Sequence, residues 1–87
     1  MKHASAAALH GLTELLGKIR AKEGIKENKP GIFYRKSKSF LHFHEDPAGL
    51  FADLRVGAEF GRYPVNTPEE CKVLLAAIDR ALLPLAH

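Results

Sequence analysis

Gly31-Ile-Phe-Tyr-Arg-Lys-Ser-Lys-Ser-Phe40-Leu-His-Phe-His-Glu-Asp-Pro-Ala-Gly-Leu50-Phe-Ala-Asp-Leu-Arg-Val56 decides the fold. Apolar and polar residues roughly alternate along it, and Phe, Tyr, Leu, Ile and Val dominate. Arg35-Lys-Ser-Lys38 and Glu45-Asp-Pro-Ala-Gly49 interrupt the alternation with turn chemistry. A two-residue period punctuated in this way marks an antiparallel meander, so three consecutive strands are expected at about 31–35, 39–44 and 50–56. In the third, Leu50, Ala52, Leu54 and Val56 form an apolar face directed at the helices, with Phe51, Asp53 and Arg55 on the other side.

The register of the second hairpin fixes which residues share a face. A four-residue turn, Glu45–Ala48, sets Phe43 opposite Leu50 and Leu41 opposite Ala52 on the helix-covered face. Phe40, His42 and His44 then join Phe51, Asp53 and Arg55 on the second face. A five-residue turn would carry both histidines into the core, where each needs a buried partner, so the first register is expected.

Outward from the meander, Leu9, Leu12, Leu16 and Ile19, with Leu15 beside them, recur at helical spacing and predict a helix over about residues 4–23. Ser5 suits its N-cap, Glu14 and Lys18 form an i,i+4 pair, and Gly24 suits C′. Gly17 inside this helix marks either close packing or local weakness. Ile25 to Pro30 reads as a polar connection. Gly57 to Asn66 reads as a turn followed by a short fourth strand at about 62–65, which Pro64 confines to an edge. Thr67, Pro68 and Glu70 supply an N-cap, an N1 proline and a capping box. Cys71, Leu74, Leu75, Ile78 and Leu82 make the buried stripe of the helix that follows, and Pro84 ends it. The expectation is one α+β domain over residues 1–87, a two-layer α-β-β-β-(β)-α sandwich whose N- and C-terminal helices share one face of an antiparallel sheet of three to four strands.

Eighty-seven residues, 46% hydrophobic and 26% charged, suit a single globular core. No apolar run reaches the roughly 20 residues a membrane helix needs, and His10, Gly11, Thr13 and Glu14 interrupt any signal-peptide core. With a single cysteine, Cys71, placed on a buried stripe as a structural thiol, a cytoplasmic protein is expected. The net charge of +3 is unevenly spread. Residues 18–38 hold Lys18, Arg20, Lys22, Lys26, Lys29, Arg35, Lys36 and Lys38 against Glu23 and Glu27. This band suits a polyanion such as nucleic acid, with Tyr34 or Phe40 available to stack on bases; a solvated lysine-rich surface is the alternative.

The uncovered face is expected to carry Phe33, Phe40 and Phe51 among Arg35, His42, His44, Asp53 and Arg55. Three phenylalanines on one face point to homodimerisation across the sheet, unless loops or termini cover them. His42 and His44, two apart on a strand, lie on the same side roughly 7 Å apart at Cα. Both rings can reach one ion, and Asp53 or Glu45 would complete a His₂-carboxylate set suited to zinc or another divalent metal. The alternative is a pair of half-exposed sheet histidines. A histidine near Asp53 also resembles an acid–base pair, but no nucleophile or phosphate loop stands nearby, so no catalytic residue is assigned and no cofactor is expected outside the metal reading.

At Gly31 to Leu41 the chain resembles the start of the meander in the TfoX N-terminal domain and in MmcQ/YjbR-type proteins, in topology more than in letters. Those families usually keep a lysine in the third strand where Asp53-Leu54-Arg55 stands. The Phe40 to Arg55 segment is more similar to a group of uncharacterised short bacterial proteins with a His-Phe-His-Glu-Asp-Pro signature. The resemblance implies a bacterial, cytoplasmic, DNA-associated or regulatory protein and transfers no catalytic residue. The functional expectation is therefore a small binding module. One version binds polyanions through Lys18, Lys22, Lys26, Lys29, Arg35, Lys36 and Lys38; the other binds a ligand or metal through His42, His44, Asp53 and Arg55.

Overall fold

The computed structural model describes residues 2–82. The elements are β1 (Lys2–His3), α1 (Ala6–His10), α2 (Thr13–Arg20), β2 (Lys26–Lys29), β3 (Ile32–Arg35), β4 (Lys38–Asp46), β5 (Gly49–Val56), β6 (Glu59–Pro64) and α3 (Pro68–Leu82). Strands β2 to β6 lie in chain order as an antiparallel meander, and β1 pairs with β4 at Glu45 and His44, past the end of β3. The α+β expectation holds, with a larger sheet than the alternation announced. The expected end of the last helix at Pro84 lies outside the described residues.

One core joins the two layers. Leu9, Leu12, Leu15, Leu16 and Ile19 from the N-terminal helices and Leu74, Ala77 and Ile78 from α3 pack with Phe33, Phe40, Leu41, Phe43, Ala52 and Leu54 of the sheet. Ser5 caps α1, its Oγ accepting the Ala8 N–H at 3.2 Å. The expected single N-terminal helix is interrupted at Gly11-Leu12, where the Gly11 N–H bonds to the Ala8 carbonyl at 3.2 Å, the Leu12 N–H bonds to the Leu9 carbonyl at 2.9 Å and Thr13 Oγ1 donates to the His10 carbonyl at 2.6 Å. The apolar stripe runs through the break, so burial is preserved while the helix is not. Thr67 caps α3, with Oγ1 accepting from Glu70 N–H at 3.1 Å and Glu70 Oε1 accepting from Asn66 N–H at 2.8 Å.

Two features of the sheet correct the expected sorting of side chains. The β4–β5 hairpin has Leu41 opposite Leu54, Phe43 opposite Ala52 and Asp46 opposite Gly49, so only Pro47 and Ala48 form the loop. The register thus differs by two from the expected one. A slip of two keeps every residue on its face but changes its partner, and His42 now stands opposite Asp53. In the β3–β4 ladder, Phe33 pairs with Leu41 and Tyr34 with Ser39, which leaves Phe40 as an extra residue in β4. Such an insertion turns neighbouring side chains to one side. Phe40 and Leu41 are both buried in the core, as is Phe33. Neither Phe33 nor Phe40 lies on the open face, and Arg35 reaches the helical layer, where its Nη1 donates to the Ala81 carbonyl at 2.9 Å. Val56, expected on the buried face, is 54% exposed at the strand end.

Candidate metal centre

His42, His44 and Asp53 project from β4 and β5 onto the face of the sheet away from the core. Alternation places His42 and His44 on the same side, and the register sets Asp53 directly across from His42. One ligand atom from each of the three lies within 4.8 Å of the others. His44 Nε2 is 2.7 Å from His42 Nδ1 and 3.0 Å from Asp53 Oδ2. Asp53 is 8% exposed, and both histidines are half-buried.

Three side chains that carry no motif signal surround this cluster. Arg62 on β6 stands opposite Asp53 and grips it from both ends, Nε to Oδ1 at 2.9 Å and Nη2 to Oδ2 at 3.3 Å. His3 on β1 stands opposite His44 and stacks on its ring at 5.5 Å between centroids. Phe60 on β6 lies against His42 at 5.1 Å. A lone His or Arg on a short polar strand gives no periodic signal; only the pairing of β1 and β6 brings them here.

The electrostatics favour lone pairs at the centre. Burial pushes the His42 imidazolium down, and the neighbouring His44 pushes it further, so the ring stays neutral below the ordinary histidine range. Burial alone would raise the Asp53 carboxyl, but the Arg62 hydrogen bonds and the neighbouring His44 ring hold it below its usual value. The proton count at His44 Nε2 is the telling feature. In a catalytic relay the two nitrogens of one ring face different partners. Here Asp53 and His42 both approach the same nitrogen, whereas the buried Nδ1 has no hydrogen-bond partner among the described residues. With its proton on Nε2, His44 offers one N–H to two acceptors, and a cation in its place would serve all three atoms.

No family model, curated protein or solved structure matches the chain.

Arg55, expected to share this cluster, turns aside: its Nε donates to the Ser39 carbonyl at 2.7 Å and its guanidinium covers Phe60 at 4.6 Å. The basic band is also divided. Lys18 pairs with Glu14 at 3.6 Å, Arg20 with Glu27 and Lys22 with Asp79 at 2.5 Å each. Lys26 and Lys29 lie exposed on the edge strand β2, while Arg35, Lys36 and Lys38 sit at the β3–β4 turn. No helix among the described residues is long and apolar enough to cross a membrane.

Proposed function

We propose that this protein is a small binding module whose ligand is a divalent transition-metal ion of the zinc class, held by His42 Nδ1, His44 Nε2 and Asp53 Oδ2. The observation that carries this reading is the convergence of one ligand atom from each of the three residues within 4.8 Å, with His42 Nδ1 and Asp53 Oδ2 both crowded on His44 Nε2. Two imidazoles and a carboxylate form a donor set suited to zinc, and three protein ligands leave a fourth position for water or an incoming group. Arg62 supports the set through Oδ1, orienting the carboxylate from outside.

Metal on Nε2 would leave the His44 ring proton on Nδ1, which is buried with no hydrogen-bond partner among the described residues. An incomplete outer shell costs about 10–100-fold in metal affinity, so an exchangeable ion suits this site better than a permanently resident one.

The test is zinc binding by calorimetry, with cobalt absorption reporting coordination. One equivalent per chain is expected, lost in His42→Ala and His44→Ala and kept in His10→Ala, whose side chain lies exposed on α1. Absence of stoichiometric zinc and cobalt binding by the folded protein overturns the reading.

A further inference from the structure

A second cluster of charge lies at one end of the molecule, independent of the histidine face. The β3–β4 turn, the end of β5 and the last turn of α3 enclose a cleft of about 440 Å³ lined by Arg35, Lys36, Lys38, Arg55, Arg80 and the buried ring of Phe40. Among the described residues, no carboxylate lines it and none of the five cations forms an ion pair. Elsewhere Lys18, Arg20, Lys22 and Arg62 each have an acidic partner.

The cleft is organised as well as charged. Arg35 is fixed by its bond to the Ala81 carbonyl and lies over Phe40 at 5.8 Å; Arg55 is fixed by the Ser39 carbonyl. Each uses one N–H for its anchor and keeps others free, which is how a guanidinium is prepared for bidentate contact with an oxyanion. The fold also accepts two local costs here. Arg35 and Lys38 are direct cross-strand partners, and like charges so placed repel. Lys36 and Ser37 bridge them with φ of 52° and 69°, left-handed conformations that a tight hairpin ordinarily gives to Asn and Gly. Left-handed non-glycine residues cluster at binding and switch segments, which singles out this turn as a candidate binding element.

From these features we infer that the cleft binds a small oligophosphate-bearing molecule, with Arg35 and Arg55 as fixed forks and Lys36, Lys38 and Arg80 as mobile counter-charges. Its volume falls within the roughly 300–1,000 Å³ of small-molecule sites. A small ligand is favoured over a nucleic-acid strand because five cations converge on one cleft, while along the rest of the basic band Lys18, Arg20 and Lys22 pair with carboxylates and only Lys26 and Lys29, on the edge strand β2, have no ion pair among the described residues.

The experiment is an amide NMR titration of the full chain with inorganic triphosphate, repeated with a short oligothymidylate. Saturable shifts are expected at Arg35 to Phe40, Arg55 to Gly57 and Arg80 to Ala81. Affinity should fall at least about tenfold in Lys36→Glu plus Lys38→Glu, with the spectrum otherwise unchanged as the mark of an intact fold. It should not fall in Lys26→Glu plus Lys29→Glu, nor in His42→Ala, which separates this cleft from the metal site. Non-saturable shifts, or an equal loss from the β2 charge reversals, overturn the proposal as mere net charge. Tighter binding of the oligothymidylate than of triphosphate overturns it in favour of a nucleic-acid backbone.

Discussion

Asn66 clasps the backbone of Leu50 from both sides: its Oδ1 accepts the Leu50 N–H at 2.8 Å, and its Nδ2 donates to the Leu50 carbonyl at 3.0 Å. A side-chain amide thereby stands in for one rung of the ladder beside β5, just before the α3 cap. Asn66→Ala should lower stability by about 1–2 kcal/mol in urea unfolding, two net hydrogen bonds' worth. Gly49→Ala should cost more than an ordinary surface substitution, because φ is +134° and the added Cβ would lie 2.7 Å from Asn66 Oδ1. The double variant should recover part of that loss, since one of its two causes is gone.

Gly17 has no packing reason to be glycine. An added Cβ would meet nothing within 4 Å among the described residues, and the residue is exposed within α2. Of the two explanations open from the sequence, close packing is removed. Gly17→Ala should raise stability by about 0.5–1 kcal/mol, read as a higher denaturation midpoint with unchanged slope.

The Lys36-Ser37 turn should respond in the same direction. Substituting the Asn-Gly pair that such turns prefer, as Lys36→Asn plus Ser37→Gly, relieves two left-handed residues at about 1–2 kcal/mol each at most. The melting temperature should rise while triphosphate affinity falls, because one of the five cleft cations is lost.

Glu27 links stability to acid. The Arg20 side chain holds its carboxyl below the ordinary value of 4.5 against the opposing effect of burial, and the Gly31 N–H assists at 3.0 Å. A carboxyl lowered on folding stabilises the native state above its unfolded pKa, and that contribution disappears as pH falls through the folded value. Wild type should therefore lose stability as pH drops below about 4.5, and Glu27→Gln should show a shallower loss across the same window from a lower plateau.

Arg62 and Asp53 are unequal partners. Asp53 is buried, whereas the Arg62 side chain is half in solvent. Arg62→Ala leaves the carboxylate short of its main donor and should cost about 1–2 kcal/mol by chemical denaturation. Asp53→Ala frees an arginine that water can solvate, so the cost in stability should be smaller, while zinc binding is lost.

Alternation and helical spacing made both layers legible. They also placed His42, His44, Phe51 and Asp53 on the open face, because a register error of two preserves faces. Partners were less accessible. His42 meets Asp53 only because the loop shrinks to Pro47-Ala48, and either turn length suits Glu-Asp-Pro-Ala-Gly. Strands β1 and β2 are short and polar, Lys2–His3 and Lys26–Lys29, and exist through pairing rather than propensity. Two of the three rings that suggested a dimer, Phe33 and Phe40, went to the core because counting by twos assumes an unbroken strand.

That break has a consequence for how the protein tolerates change. On the N-terminal side of Phe40 the even-numbered residues of β4 face the helices; on the C-terminal side the odd-numbered ones do. The strand is written in two opposite parities, and Phe40 is the joint between them. A substitution there alters a ring, but the loss of a single residue anywhere from Lys38 to Leu41 would merge the parities, forcing either the cationic turn or the histidine pair onto the wrong side. Chain length in this strand is thus held more tightly than composition.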